Sequence, residues 1–311
     1  MKMKPRPSAI QALLAFVAIF LTTGCAEETP ERNGFKLTDL KIPLEEILSG
    51  GPPRDGIPSI DKPKFIAPDK ADFMKDDDLV LSYSHDGKTR AYPLRILVWH
   101  EIVNETIAGK PILVTYCPLC GTAMIFDRKI KDEVRTFGVS GMLYQSDVLM
   151  YDRQSESLWS QLKMEAVSGP LSGSRLELLP SAHLTWKAWK EKHPDGEVLS
   201  TDTGHGRNYD GEAYDAYFKS PNTMFPVPQT RDELPKKDWV IGVIAGGKAI
   251  AFPVKTLAEK REARHGGVTV KYDPDSRLAT ATGSDGKEIP TTTVFWFAWQ
   301  AFYPETALWK P

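Results

Sequence analysis

Two cysteines three positions apart, Cys117 and Cys120, enclose Pro118 and Leu119 and are followed by Gly121. A Cys-Pro-x-Cys-Gly turn suits sulfur chemistry. The proline fixes one φ, the glycine admits a positive φ, and backbone N–H groups can then converge on both sulfurs. Three chemistries use such a pair: thiophilic metal binding, dithiol–disulfide exchange, and a structural role as a disulfide or as buried thiols. A disulfide across so short a loop constrains the unfolded chain little, so stabilisation alone is the least attractive of the three.

One turn supplies two ligands, and no second cysteine pair exists to complete a four-sulfur site. His100, in Trp99-His100-Glu101-Ile102, is the leading third ligand, ahead of His85 and His205, while Met124 and Met142 offer thioethers. Two sulfurs with a histidine suit copper first and zinc second. In the alternative, a thiol–disulfide oxidoreductase, Cys117 attacks, Cys120 resolves and His100 lowers the thiol pKa. A third reading is a tethered interaction scaffold without catalysis. In either chemical reading the supporting polar residues would be Ser140, Tyr144 and Asp147, with the strand ends Asp127-Arg128 and Asp152-Arg153. Glycine-rich phosphate loops are absent, and Gly138-Val-Ser-Gly141 lacks the last glycine of a hydrolase elbow.

These residues need elements to hold them. Pro111 to Tyr116 reads as a buried strand and Thr122 to Phe126 as another, so the cysteines occupy a tight turn between strands. The chain also repeats itself. Asp86 to Leu97 aligns without a gap with Gly246 to Leu257 at an offset of 160, and each copy reads as a hairpin closed by Pro93 or Pro253. Leu179 to Pro194 aligns with Ile289 to Pro304 at an offset of 110, keeping Trp-x-Ala-Trp and the later proline. Thr185, and Thr291 to Thr293, are candidate caps for the short helices, and the tryptophans read as core. The expected fold is therefore α+β and β-rich, made of two sequence-related halves with short helices around Trp186 and Trp296. The halves are residues 76–200, with the cysteines, and a reduced repeat at 236–311, joined by 201–235.

The first residues carry an address. Lys2, Lys4 and Arg6 precede an apolar run from Ala9 to Leu21, and Leu21-Thr-Thr-Gly-Cys25 resembles a bacterial lipobox. Residues 1–24 read as a lipoprotein signal and 25–75 as a tether with a loosely packed arm. Acylation of Cys25, palmitate included, would anchor the chain in a bilayer on the extracytoplasmic face of the envelope, periplasmic in a two-membrane cell. The expected partners are that bilayer and another envelope protein. With 39 basic and 41 acidic residues the charges nearly cancel, which speaks against nucleic acid.

From Asp78 to Leu199 the chain resembles the bacterial family known as domain of unknown function 3179. The marks are His100-Glu-Ile-Val-Asn104, Thr115-Tyr-Cys-Pro-Leu-Cys-Gly121, Phe126-Asp-Arg128, Phe137-Gly-Val-Ser-Gly141, Ser146-Asp147 and Tyr151-Asp-Arg153, continued by Leu158-Trp-Ser-Gln161 and Gly169-Pro170. The resemblance implies this set of site residues and brings no reaction with it.

Overall fold

The computed structural model describes residues 1–2, 29–211, 213–227 and 231–311. The signal segment and Cys25 lie outside the described residues. The protein is mainly β, with 41% strand and 13% helix, in a five-bladed, β-propeller-like arrangement. This corrects the α+β expectation. The two Trp-bearing helices, Trp186–Lys192 and Trp296–Phe302, are seven residues each and cap sheet ends. They are too short to form a helical layer, so the sheets bury their faces on one another.

The first sheet contains the hairpin Leu79–His85 with Lys88–Pro93, flanked by Ala182–Thr185 and by Glu197–Leu199, with Phe65–Ile66 at its edge. The second is Ile102–Ile107, Lys110–Cys117, Thr122–Asp127 and Glu177–Leu178. The third is Phe137–Tyr144, Asp147–Asp152, Leu158–Ser160 and Glu165–Ser168, edged by Ile47–Ser49. The fourth contains Trp239–Ala245, Lys248–Pro253, Thr291–Phe295 and Ala307–Leu308. The fifth is Glu262–His265, Val268–Asp273, Leu278–Thr282 and Glu288–Ile289.

The repeated blocks occupy the first and fourth sheets in the same register. Val80 faces Pro93 as Val240 faces Pro253, and Leu81 faces Tyr92 as Ile241 faces Phe252. Thr185 lies opposite Leu79 as Phe295 lies opposite Trp239. The last strand is parallel in both, pairing Glu197 with Arg90 and Ala307 with Ile250. Between hairpin and closing strands the first copy holds the second sheet and four strands of the third, and the second copy holds one sheet, which accounts for the 50-residue difference between the offsets. Thr185 caps its helix by accepting the Ala188 amide at 3.4 Å. In the second copy Phe295 stands at the cap without a side-chain bond, and Thr291 to Thr293 lie in the strand instead. Trp186 and Trp189 are buried and stacked, with centroids 5.3 Å apart.

The described part of residues 25–75 joins this frame. Phe35, Leu37, Ile42 and Ile47 are buried against Met142 and Tyr151. The segments at 47–49 and 65–66 are sheet edges.

Candidate metal centre

The Cys117–Cys120 turn connects two neighbouring strands of the second sheet, and Cys117 lies opposite Thr122 in the ladder. Gly121 closes the turn with φ of +65°, a conformation that costs glycine little and other residues more. The second half of the chain then clamps the turn. The Phe295 amide donates to the Cys120 carbonyl at 2.9 Å, the Tyr217 hydroxyl donates to the Leu119 carbonyl at 2.7 Å, and the Trp239 ring lies against Gly121. The reduced repeat is thus a wall of the site.

Both thiols are buried and unpaired. Their neighbour comes from the third sheet. Ligand atoms of Cys117, Cys120 and Asp147 all lie within 4.8 Å of one another. Gln145 and Ser146, with φ of 54° and 63°, form the left-handed turn that delivers Asp147 to the sulfurs. The Cys120 thiol donates to the Ser146 carbonyl at 3.3 Å. Asp147 Oδ2 accepts the Leu162 amide at 3.0 Å, while Oδ1 has no hydrogen-bond partner among the described residues.

His100 takes another place. Its Nδ1 lies 2.7 Å from the Pro58 carbonyl and its Nε2 2.6 Å from the Tyr209 hydroxyl. A carbonyl only accepts, so Nδ1 carries the hydrogen and Nε2 accepts from Tyr209. Burial, the largest influence, lowers its pKa to about 4, which keeps the ring neutral. Strand pairing makes the reason clear. Ile102 faces Thr115, so a regular strand would put His100 opposite Cys117. Glu101 interrupts the alternation with φ of 57°. The histidine ring then joins Pro58 and Tyr209, and Glu101 comes under the influence of Asp147.

Glu101 is the residue that sequence reasoning passed over, although it adjoins His100. Burial and then the nearby Asp147 raise its carboxyl to about 8. Burial likewise raises Asp147 to about 7, against the lowering effect of the Leu162 amide and the thiols. Cys117 is raised and Cys120 lifted further, burial being the first cause in both. Among the described residues no cationic side chain is a leading influence on either carboxyl. Four acids thus share one buried region, and each charge one of them takes on is unfavourable without a cation.

The unpartnered polar atoms concentrate here too. Besides Asp147 Oδ1 they include Thr122 Oγ1, Ser146 Oγ and Gln161 Oε1, and the Gln161 amide is tied to Thr115 Oγ1 at 2.7 Å. Each buried polar atom left unpaired costs about 1–3 kcal/mol, so this grouping favours a polar or cationic guest. Two soft sulfurs and a carboxylate oxygen fit a divalent, thiophilic ion.

The remaining expected site residues serve the frame. Ser140 bridges the Leu149 carbonyl, at 2.5 Å, and the Met142 amide, at 3.0 Å. Asp152 is buried and bound by Arg135 at 2.9 Å and by the Trp159 indole at 3.0 Å. Asp127 pairs with Lys110, and Arg128 donates to the Glu105 and Arg135 carbonyls. Arg153 reaches Ser59 and Asp61, and Tyr144 packs edge-on against Phe302. His205 lies tilted at 45° to His100 with centroids 5.3 Å apart, and His85 ends the first strand of the hairpin opposite Lys88. Met124 shares the apolar cluster of the cysteines, whereas Met142 packs in that of Phe35.

The fold and the site together define a propeller-like β protein with a buried thiol–carboxylate cluster at a turn between strands. The chain belongs to the family described as Protein of unknown function (DUF3179), whose model matches residues 54–284, most of its length. Nothing among curated proteins or solved structures matches it.

Proposed function

We propose that the protein is an envelope lipoprotein that binds one thiophilic metal ion through Cys117, Cys120 and Asp147, with Glu101 beside them as a fourth candidate. The observation that carries this reading is the cluster itself: three buried ligand atoms within 4.8 Å of one another, with no cationic side chain of the described residues a leading influence on the acids. The carboxylate changes the preferred metal. An imidazole as third ligand suits copper, whereas a hard oxygen with two thiolates suits zinc better, because copper(I) prefers an all-sulfur set. When bound, such an ion would hold the turn and the third sheet together, and it would act as a Lewis acid toward anything admitted to its remaining position.

The dithiol oxidoreductase remains the rival, supported by two unpaired, neighbouring thiols. It is disfavoured by the pKa shifts, because an attacking sulfur must be a thiolate and burial holds both as thiols. Elemental analysis of the full chain, purified anaerobically without a histidine tag, separates the two. About one equivalent of zinc, lost in Cys120→Ser and in Asp147→Asn, is expected. Metal-free protein with two thiols that cycle reversibly to a disulfide would replace this reading with the rival.

The lipid anchor rests on Leu21 to Cys25 and the apolar run before them. No helix of the described residues is long and apolar enough to cross a membrane. A Cys25→Ser variant should move from the membrane fraction to the soluble one. Retention in the membrane fraction would remove the acyl anchor from the proposal.

A further inference from the structure

A cavity of about 270 Å³ lies where four of the five sheets meet, walled mainly by Leu79, Leu94, Trp239, Ile241 and Val254. Gly121 is its only contribution from the cysteine turn, so the cavity stands whether or not the turn holds a metal. Two buried side chains with polar atoms, His183 and Tyr272, also line it, and Thr293 is half-buried beside them. His183 Nε2 lies 3.0 Å from the Ala123 carbonyl, which can only accept, so Nε2 carries the hydrogen. Burial disfavours a second proton on the ring. Nδ1 is therefore a lone-pair acceptor, and no described residue donates to it.

An acceptor open beside apolar walls selects among ligands. A guest without a donor leaves Nδ1 desolvated and unpaired, while a guest carrying O–H or N–H satisfies it. Size narrows the class further. An apolar cavity of about 150 Å³ holds benzene, so this one accommodates roughly two fused rings. We propose that the cavity binds a small, flat, apolar molecule carrying a hydroxyl or N–H donor, with its rings against Trp239 and its donor on Nδ1 of His183. Arg277, exposed at the lining, offers the rival specificity, an anionic guest.

Calorimetry on the full chain tests this with three probes: 2-naphthol, 2-methoxynaphthalene, which keeps the rings and loses the donor, and 2-naphthoate. 2-Naphthol should bind about tenfold more tightly than 2-methoxynaphthalene, the effect of one satisfied hydrogen bond. Val254→Trp, which fills the cavity, should abolish binding, and His183→Phe should bring 2-naphthol down to the level of the methyl ether. Equal affinities for the two, absence of saturable 2-naphthol binding, or binding that survives Val254→Trp would overturn the proposal. Tighter binding of 2-naphthoate would overturn it in favour of an anion site at Arg277. The three-probe comparison on the unaltered protein decides even where His183→Phe does not fold.

Discussion

Asp147 and Leu162 are joined by one hydrogen bond, from the Leu162 amide to Oδ2 at 3.0 Å, and that bond uses half of the carboxylate. The other oxygen is buried and has no partner among the described residues by hydrogen-bond geometry. On the proposed metal reading, an aspartate fixed on one side in this way is oriented before an ion arrives.

Metal affinity should rise steeply with pH, because the ligands hold protons in the free protein. Both thiols stay protonated across the neutral range, so binding displaces about two protons at pH 8. Below about 7 the Asp147 carboxyl adds another. A chelator competition from pH 6 to 8.5 should show the logarithm of affinity climbing with a slope of about two, steepening to about three at the acid end. A flat profile would exclude buried thiols as ligands.

The metal-free protein should lose stability as pH rises. Asp147, raised to about 7, and Glu101, raised to about 8, keep protons in the folded state that the unfolded chain releases near pH 4. Folding therefore binds protons across this window, and its free energy weakens as they are lost. His100, lowered to about 4, works oppositely, gaining stability as pH rises to about 6.5, so the net decline is steepest above that point. Chelator-treated protein should melt at a lower temperature at pH 8.5 than at pH 6.5. Glu101→Gln should flatten the difference, and equal melting at both values would refute the assignment.

His100→Ala should keep its metal while losing stability. The ring holds Pro58 and Tyr209 by two hydrogen bonds and is fully buried. Its removal should cost about 2–4 kcal/mol in denaturant unfolding. Tyr209→Phe, which strips the donor from Nε2 and also the partner of the Thr203 hydroxyl, should cost about 1–3 kcal/mol. Loss of the metal in a folded His100→Ala protein would return the histidine to the ligand set.

Gly121→Ala should destabilise the turn strongly. A Cβ there would lie 2.5 Å from the Trp239 ring and 3.1 Å from Phe295, at a backbone φ of +65°. Left-handed strain of about 1 kcal/mol and overpacking of about 1–3 kcal/mol act together. Thermal melting should fall by several degrees or more, and an unchanged melting temperature would mean that the clamp by the second half is loose.

The hairpins could be read from the chain because they are local. Val80 to Pro93 and Val240 to Pro253 each lie within 14 residues, with alternation and a terminal proline to set the register. The closure of the sheets could not, because Thr185 meets Leu79 across about a hundred residues of intervening chain that no periodicity spans. The short helices overweighted the fold class: Trp186–Lys192 is about two capped turns, not a layer. At the site the turn itself was legible, and its third ligand less so. Asp147 had to be drawn from seven polar candidates, and one positive φ, at Glu101, goes with a histidine ring bound to Pro58 and Tyr209 and outside the cysteine cluster.

The nested order of the sheets also governs when the cysteines disappear from solvent. The first sheet is begun by the hairpin at 79–93 and finished only at 182–199, and Cys120 is clamped by Phe295, near the end of the chain. Pairings of such long sequence separation form late and slowly. A newly emerging chain therefore lacks the Phe295 clamp on its cysteine turn until that late strand has docked. Metal capture, or oxidation, competes within that interval, and the fold then locks in whichever came first.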